Sequence, residues 1–407
     1  MPVKKVVIGS NDSSSKIQNR ALVLRMICTK PNSSRIDISR QTGLSKMSIT
    51  NIVNELIQDG FIDVLGENKE NLASGRRPIF LTPRTNSFFA IGIYISRDFV
   101  IATLSNLKCE ILQELKCNFS FEETESSLLD KIKGLVRSII DSTFMQGKSL
   151  LGIGVACIGP LDIKNGVILS PPNFYNLKSI PIKQILEKEF GYSVYVNNDI
   201  NASAIAEKLY GKAKDVRNFI CLGVANGVGA GIIADDVLFT GDMGFGGEIG
   251  HTTINLDGPK CTCGNNGCLE LYATIPEIVN QARNSVSLGM DSRLKTMKSI
   301  TWQDIIHCAL KEDNLALNLL DRLCLYISIG LVSLSNILDP QVIYIGYDLA
   351  LAGSLVSQRL ESILNQKILC NKYKKIPVEI SAFIDRSPIF GSSAIVMDRL
   401  FSNYIEL

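Results

Sequence analysis

Residues 251–270 read HTTINLDGPKCTCGNNGCLE, and this stretch limits how the chain can fold more than any other. Three of the eleven cysteines lie within eight positions of one another, and a histidine stands ten residues before the first of them. Gly264 and Gly267 allow the backbone to double back, so that the four side chains can meet at one point. Three thiolates and one imidazole fill a tetrahedral shell, and this indicates a structural Zn²⁺ site without an open catalytic position.

The predicted zinc ligands are His251, Cys261, Cys263 and Cys268. The alternative is three buried cysteines beside a surface histidine that binds no metal. The other histidine of the chain, His307, lies in a helical pattern beside Cys308, so we expect it to be a packed or surface residue.

The composition is that of a globular protein with more than one domain. The chain has 407 residues, of which 46% are hydrophobic and 20% are charged. No apolar run approaches the roughly 20 residues of a membrane span, and the N-terminus lacks the apolar core of a signal peptide. An odd number of cysteines in apolar surroundings fits reduced thiols. We therefore expect a soluble cytoplasmic protein that does not contact membranes.

Charge is unevenly distributed along the chain. Residues 1–84 contain 13 Lys and Arg against 7 Asp and Glu, whereas the remainder contains 29 against 33. A basic first segment on a mildly acidic body suggests a module that binds a polyanion. Chance variation in surface charge is the alternative explanation.

Three helical patterns follow one another within residues 19–60. The first ends at Pro31, the second starts at a serine cap and stops at Gly43, and the third has apolar residues at spacings of three and four. Two helices joined by a short turn match the helix-turn-helix plan, whose second helix enters the DNA major groove. The side chains predicted to face DNA are Ser45, Lys46, Ser48, Thr50 and Asn51.

The segment after the third helix has the pattern of a wing. Two strand-like pieces, Phe61–Leu65 and Pro78–Leu81, flank a polar loop that carries Arg76 and Arg77. Adjacent arginines between a glycine and a proline can enter a narrow minor groove, where the negative potential is greatest. A winged helix that binds double-stranded DNA is the prediction; a helical protein-binding domain with a solvated loop is the alternative.

From Ser87 onward the pattern changes to that of an α/β body. FFAIGIYI, FVIATLS and ILQELKCNFS are three successive strand candidates, and later strands such as QVIYIGY and VEISAF are each followed by a helix. Strand triplets followed by alternating helices and strands are typical of α/β proteins. A body of this length is expected to form two similar lobes around a cleft.

Five stretches of the body resemble one known family in its order: GIGVACIGPLD, NNDINASAIAE, GVANGVGAGII, GEIGH and CTCGNNGCLE. The chain resembles the ROK family (repressors, open reading frames and sugar kinases) over nearly its whole length. The resemblance implies an actin-like, ribonuclease H-like (ASKHA) pair of lobes with a sugar site between them. It also implies a division into a winged helix at residues 1–84 and a body at 85–407. The lobes would be about 85–200 with the C-terminal helix, and about 201–390.

The family resemblance also assigns a sugar site. The positions that match the family's sugar-binding residues are Asn198, Asp199, Glu248, His251 and Glu270, and Asn173 in SPPNF joins them. Carboxylates and amides suit polyhydroxylated ligands because each can take several hydroxyl hydrogen bonds. His251 would bind zinc through one ring nitrogen and donate to a sugar hydroxyl through the other. The alternative for each acid is a solvated surface group.

The nucleotide site of the family's kinases is altered in this sequence. By resemblance, the first phosphate loop is replaced by AIGIYISRD, with Gly92 where an aspartate belongs, Tyr94 for a glycine and Ser96 for a threonine. The glycines of residues 223–229 resemble the second phosphate loop of the kinases. The later segment IGYDLALAG departs from the glycine-rich pattern with which the kinases contact the nucleotide. We therefore expect no enzymatic activity, with Asp199 acting as a hydrogen-bond acceptor instead of a base.

These observations predict a transcriptional repressor of sugar-utilisation genes. It would bind an inverted-repeat operator as a homo-oligomer, a dimer or a tetramer, and a sugar in the cleft would lower its affinity for DNA. Two alternatives remain: a sugar kinase with an appended DNA-binding domain, and a repressor controlled by a partner protein. The sequence leaves the sugar, its role as inducer or co-repressor, and the operator open.

Overall fold

The computed structural model describes residues 13–30, 32–65, 80–120, 122–171, 174–175 and 177–403. The chain divides into two compact units. Unit 1 comprises Met1–Ala156, Pro181–Val196 and Ser392–Leu407, and unit 2 comprises Cys157–Ile180 and Asn197–Gly391. The division of the chain at residues 84 and 85 stays a prediction.

Unit 1 begins with three helices and a small sheet in the predicted order. Its elements are α1 Ser13–Thr29, β1 Ser33–Ser34, α2 Arg35–Thr42, α3 Lys46–Gln58, β2 Ile62–Leu65 and β3 Phe80–Pro83. The strands form an antiparallel sheet in the order β1-β3-β2. Pro78 and the arginines of the predicted wing, Arg76 and Arg77, lie outside the described residues.

Capping residues set the turn between α2 and α3. Ser34 and Asp37 form a reciprocal capping box at the start of α2, and Gly43 ends that helix in the left-handed conformation. Two residues later the Ser45 side chain accepts a hydrogen bond from the Ser48 backbone N–H and starts α3. Since both caps are local, the short sequence between the helices is enough to specify the turn.

Unit 1 continues into its main sheet through an aromatic contact. The rings of Phe61 and Phe88 stack with centroids 4.1 Å apart. Beside them, the Arg84 backbone N–H donates to the Phe61 carbonyl, and the Arg84 guanidinium makes a two-point hydrogen bond with the Asp63 carboxylate. These contacts join the small sheet to the start of the main sheet.

A five-stranded sheet with the order β10-β7-β4-β5-β6 follows. Its strands are β4 Phe88–Ile95, β5 Phe99–Asn106, β6 Ile111–Asn118, β7 Ser149–Cys157 and β10 Val194–Asn198, with helices α4 Glu125–Ile140 and α5 Ile182–Phe190 between them. Every residue of β4 is buried, whereas β6 alternates between half-buried and exposed positions. The first strand therefore lies inside the unit, and β6 forms an edge of the sheet.

Unit 2 contains a second five-stranded sheet, with the order β13-β12-β11-β14-β15. Its strands are β11 Phe219–Val224, β12 Val228–Ala234, β13 Val237–Leu238, β14 Val342–Gly346 and β15 Val378–Ile380; β8 Leu161–Asp162 and β9 Val167–Ile168 form a separate small ladder. Strand β14 runs parallel to both β11 and β15. Two sheets with helices between their strands confirm the predicted α/β class.

The helices of unit 2 cover its sheet and end in a helix shared with unit 1. They are α6 Asp199–Leu209, α7 Glu270–Ala273, α8 Ile275–Ser287, α9 Trp302–Leu310, α10 Asn314–Leu338, α11 Tyr347–Ala350, α12 Ser354–Lys367 and α13 Ser387–Asn403. The boundary between the units falls within α13, at Ser392.

Helix α10 corrects one expectation from the sequence. Its 25 residues are long and apolar enough to cross a membrane by length and composition, so the expectation that no such run exists was wrong. Just over half of its most apolar window, 56%, is buried inside the protein. Leu319, Leu323, Ile327 and Leu331 of this helix belong to the main hydrophobic core of unit 2. Core packing thus accounts for the apolar composition of the helix.

Candidate functional site

Four ligand-type side chains meet at one point of unit 2. The ligand atoms of His251, Cys261, Cys263 and Cys268 all lie within 4.8 Å of one another. The sulfur atoms of Cys263 and Cys268 are 3.7 Å apart, and the Cys261 sulfur lies 3.8 Å from His251 Nδ1. Sulfur atoms bound to a tetrahedral zinc at about 2.3 Å lie about 3.8 Å from one another. The predicted cluster therefore has the dimensions of a four-coordinate metal site.

The loop reaches this geometry through two left-handed glycines. Gly264 and Gly267 have φ angles of +96° and +61°. A Cβ atom on Gly267 would lie 1.7 Å from the Asn255 carbonyl oxygen, so no other residue fits there. Within the same loop, the Cys261 backbone N–H donates a hydrogen bond to the Asn265 carbonyl at 2.7 Å. The backbone alone thus folds the cysteines toward one another.

The thiols of the cluster have unequal acidities. Burial raises the pKa of Cys268 to about 12 and also raises the pKa of Cys261. A hydrogen bond from the Asn265 backbone lowers the pKa of the exposed Cys263. Three neighbouring thiols can all be thiolates only beside a cation, because their charges repel one another. Soft sulfur donors with one imidazole at tetrahedral spacing fit zinc and leave no open coordination position.

Next to the metal cluster lie polar residues that the sequence assigned to a sugar site. Asn198 is the last residue of β10, and its side chain accepts from the Ile200 backbone N–H at 3.0 Å to cap α6. A Cβ atom on Gly159 would lie 2.8 Å from Asn198 Nδ2 and 3.6 Å from Glu248 Oε1. The Asn198 and Glu248 side chains therefore converge on Gly159, a residue that presents only backbone to them.

Glu270 connects this polar group to the metal cluster. Its carboxylate oxygen lies 3.4 Å from His251 Nδ1 and 3.3 Å from the Cys261 sulfur. The His251 backbone N–H donates to the Glu248 carbonyl, which fixes these two residues relative to each other. The side chains of His251 and Glu270 keep 32% and 19% of their surface exposed, so solvent and small ligands can reach them.

Asp199 is the most perturbed acid of this group. Its pKa is raised to about 7, chiefly by burial and in part by the nearby Glu248 carboxyl, although the hydrogen bond from the Ile200 backbone N–H acts in the opposite direction. Burial and Glu270 also raise the pKa of Glu248, and His251 opposes them. Near neutral pH the Asp199 carboxyl can therefore accept or donate a hydrogen bond, and this suits a ligand rich in hydroxyl groups.

The structure thus brings together five of the six residues predicted to bind sugar. They are Asn198, Asp199, Glu248, His251 and Glu270, all in unit 2. The sixth, Asn173, lies outside the described residues. Sugar binding by these residues stays a prediction.

The structure gives Gly92 a different explanation from the one inferred from the sequence. A Cβ atom at this position of β4 would lie 2.2 Å from Ser392 Oγ and 2.8 Å from the Ser393 backbone nitrogen, both on α13. Gly92 is therefore required by the close approach of a helix, and an aspartate would not fit there. Tyr94, two residues later, is buried and packs edge-on against Phe99.

One residue of this region was missed by the sequence analysis. Tyr347 follows β14 directly, is 8% exposed and has a φ angle of +61°. Its ring edge would lie 2.8 Å from a Cβ atom on Gly223, at the start of the predicted second phosphate loop. The only signal in the sequence was a tyrosine inside a segment that is glycine-rich in the kinases.

The predicted DNA-facing residues surround the start of α3. Ser45 caps the helix, and the Thr50 hydroxyl donates to the Lys46 carbonyl, so both hydroxyls are partly used by local bonds. Lys46 and Asn51 are exposed, and Ser48 is half-buried. Met47, which was not among the predicted residues, is 70% exposed on the same helix. Contact of these residues with DNA stays a prediction.

Two family models match the chain. A model of the ROK family matches residues 90–399, and a model of winged helix-turn-helix DNA-binding domains matches residues 19–63.

Curated relatives match the chain nearly end to end. The xylose repressor of Caldicellulosiruptor bescii is 31% identical over 395 residues, which cover 96% of this chain and 98% of the relative. The N-acetylglucosamine repressor of Escherichia coli O157:H7 is 30% identical over 395 residues, which cover 97% and 96%.

Solved structures share the fold. A ROK family transcriptional regulator, a homologue of the E. coli Mlc protein, has a TM-score of 0.82 and 28% identity, and covers 96% of this chain and 97% of its own. A ROK family glucokinase from Streptomyces griseus in complex with glucose and AMPPNP has a TM-score of 0.67 and 24% identity, with coverage of 75% and 98%, and shows the fold alone. The chain belongs to the ROK family.

Proposed function

We propose that this chain is a DNA-binding transcriptional repressor of sugar-utilisation genes, and that a bound sugar lowers its affinity for operator DNA. The sugar would be held by the Asp199 group, which consists of Asn198, Asp199, Glu248, His251 and Glu270. The observation that carries the proposal is the presence, in one chain, of a winged helix-turn-helix and a cluster of acids and an amide suited to sugar hydroxyls. Relatives named as repressors of sugar genes support it. A repressor acts where the DNA is, which supports the expected cytoplasmic location.

The first experiment identifies the sugar. A thermal-shift screen with D-xylose, D-glucose and N-acetylglucosamine is expected to give one sugar that raises the melting temperature, because a ligand bound only by the folded state stabilises it. DNA binding is then measured with that sugar. D-xylose is the first candidate because the Caldicellulosiruptor relative is named a xylose repressor. If no sugar of a wider panel binds, control by a partner protein replaces this proposal.

We further propose that the chain is not an enzyme. Tyr347 stands beside Gly223, and the side of β4 that holds Gly92 is filled by α13. Both features reduce the space in which a nucleotide phosphate could approach the backbone. Asp199 would then accept a hydrogen bond from the sugar without removing its proton.

The rival function is a sugar kinase with an appended DNA-binding domain. The two are separated by measuring ATP consumption with each sugar at saturating concentration. We expect no sugar-dependent consumption above background, whereas turnover near 1–1,000 per second, the ordinary range of enzymes, would replace the proposed role with that of a kinase.

The Cys₃His cluster supports a structural zinc ion. His251, Cys261, Cys263 and Cys268 would hold it, and the ion would fix the loop that ends at Glu270. With four protein ligands the ion has no position for water or substrate, so it contributes stability and not chemistry.

We also propose that the chain binds DNA as a homo-oligomer. One winged helix contacts few base pairs, so specific binding favours a two-fold symmetric pair on an inverted repeat. Sedimentation at micromolar concentration is expected to give twice or four times the mass of one chain; a monomer, alone and on DNA, would contradict this part.

A further inference from the structure

Helix α3 presents one row of exposed side chains to solvent. Met47, Asn51, Asn54 and Gln58 are all exposed and follow one another at spacings of four, three and four residues. Residues at these spacings lie on one face of a helix. The opposite face is buried, and its residues are Ile49, Ile52, Val53 and Leu56. The helix is thus held by its apolar face, and the exposed row is the part that a partner can reach.

Met47 is the apolar member of this row. It is 70% exposed, whereas the other exposed large apolar side chains among the described residues of 13–65 keep between 37% and 46% of their surface. A single apolar side chain in solvent needs no explanation by itself. The position of Met47 is what matters, because it is the second residue of α3 and stands one turn before Asn51.

The exposed row lies on a part of α3 that DNA phosphates can approach. The first turn of the helix contains no acid and begins with Lys46. The only acid in the helix, Glu55, is held by α1: Arg20 donates to it at 3.0 Å, and Lys16 lies 3.2 Å from it. The N-terminal end of a helix also carries a partial positive charge. This end of α3 therefore does not repel a polyanion.

The short side chains around Met47 are engaged within the helix. The hydroxyls of Ser45 and Ser48 lie 2.9 Å apart in a hydrogen bond, and the Thr50 hydroxyl donates to the Lys46 carbonyl at 2.8 Å. Further along the row, the Asn54 side chain accepts from Arg35 of α2 at 3.4 Å. Contact with base edges near the start of α3 is therefore left chiefly to its longer side chains.

We propose that Met47 is a specificity-determining residue, whose side chain contacts the C5-methyl group of a thymine in the major groove. The inference rests on the proposed DNA-binding function. Thymine is the base that presents a methyl group in that groove, and apolar side chains recognise it by contact. The methionine side chain is long and flexible, which suits such a contact.

The spacing of the row places this thymine. Four residues of α-helix rise about 6 Å, and successive base pairs are about 3.4 Å apart. The thymine contacted by Met47 should therefore lie within about two base pairs of the base contacted by Asn51. A methionine that is only a surface residue would be indifferent to the methyl group.

The test removes the methyl group alone. In a duplex selected for tight binding, each thymine is replaced in turn by uracil, which keeps base pairing and the O4 acceptor. The affinity of the full chain is measured by fluorescence anisotropy at fixed salt. We expect one uracil position to weaken binding about fourfold, since a contact the size of one methyl group is lost.

The same duplexes are then measured with Met47 variants. Met47→Ala should bind the thymine duplex about fourfold or more weakly, and uracil at that position should change its affinity by less than about 1.5-fold, because the two changes remove one shared contact. Met47→Leu keeps an apolar side chain and should retain most of the sensitivity to uracil. Ile17→Ala, which shortens an exposed apolar side chain on α1, is the matched control and should behave as the wild type does.

Equal sensitivity to uracil in the wild type and Met47→Ala would overturn the proposal, as would a uracil scan in which no thymine near the Asn51 contact matters. These outcomes leave the proposed function intact, since the chain still binds the duplex. If the wild type selects no duplex at all, the proposed function fails and this proposal fails with it. Because Met47 is exposed, its replacement is expected to leave the melting temperature unchanged, and this is checked for each variant.

Discussion

His251 belongs to both the proposed metal site and the proposed sugar site, and one ring nitrogen would serve each of them. Nδ1 is the nitrogen near the Cys261 sulfur and the Glu270 carboxylate. When Nδ1 binds a metal ion, the other ring nitrogen carries the proton and is the one that can donate to a ligand. A metal ion would therefore fix the tautomer of His251 as well as the position of the loop.

At the scale of single residues, the proposed role of Asp199 predicts that sugar binding depends on pH. Its pKa of about 7 means that the accepting carboxylate dominates only above neutral pH. We expect sugar affinity to rise between pH 6 and 8 and then to level off, as measured by calorimetry. Asp199→Asn should bind weakly at every pH, whereas the exposed Asp257→Asn should keep the wild-type profile. A flat wild-type profile would contradict a direct role of Asp199.

The sequence predicted some site residues for physical reasons and missed others. The metal cluster follows from spacing alone, because its ligands lie within eighteen residues and glycines dictate the turn. Tyr347 could not be found in this way, since its position beside Gly223 depends on pairing between strands more than one hundred residues apart. The packing reason for Gly92 could not be seen for the same reason: its neighbours Ser392 and Ser393 lie three hundred residues later.

At the scale of elements, the metal loop, residues 251–270, connects the end of the short 3₁₀ turn Ile249–His251 to α7. His251 ends that turn and Glu270 begins α7. An isolated antiparallel β-bridge between Thr253 and Cys268 closes the loop at its base. A metal ion held by the cluster would thus join the two segments that carry Glu248 and Glu270.

Removing one thiolate tests the role of the loop. Cys263→Ser is expected to lose its zinc and to melt roughly 5 °C lower. Without the ion, the thiolate forms of the two remaining buried cysteines have no cation to stabilise them, and the loop loses its cross-link. Metal content is measured by mass spectrometry and melting by calorimetry. Cys370→Ser, outside the cluster in the same unit, is the control and should retain about one zinc per chain. Wild-type protein without metal, or an unaffected Cys263→Ser, would refute the zinc assignment.

Lys46 and Asn51, two exposed polar residues in the N-terminal half of α3, are expected to have separate effects on DNA binding. Lys46→Ala is expected to weaken binding to all DNA sequences. It should also reduce the slope of log affinity against log salt concentration by about one. Asn51→Ala is expected to cost about 1–3 kcal/mol at one base pair and to relax the preference there. Both are measured by fluorescence anisotropy on duplexes selected from a random pool.

The control for these variants is Gln58→Ala, at the opposite end of the same helix, which should bind as the wild type does. If Gln58→Ala weakens DNA binding as much as Asn51→Ala, the N-terminal end of α3 is not the end that contacts the DNA bases.

The packing of α13 against β4 predicts the outcome of restoring an acid. Gly92→Asp is expected to destabilise unit 1 by about 2 kcal/mol or more, because its Cβ atom would collide with Ser392 and the Ser393 backbone. No ATP consumption should appear. Gly134→Asp, on the exposed side of α4 with nothing near its Cβ position, is the control. Denaturant unfolding measures both; a stable Gly92→Asp protein would contradict the close approach.

At the scale of the whole molecule, the order of elements could be predicted and the path of the chain could not. Hydrophobic patterns located the three helices, the strand triplet and the later strands because each pattern is local. Each unit, however, is assembled from separate segments: Cys157–Ile180 belongs to unit 2 and Pro181–Val196 to unit 1. No local pattern marks these crossings, since they are decided by which strands pair.

The central claim is that a sugar bound by the Asp199 group weakens DNA binding. The most direct test is the affinity of the full chain for a selected duplex, at fixed salt, with and without the sugar found in the thermal screen. A ligand changes this equilibrium only through different affinities for two states, so the effect must disappear when the site is lost. We predict at least a tenfold weakening in the wild type and none in Asp199→Asn; unchanged DNA affinity with the sugar demonstrably bound would contradict the account.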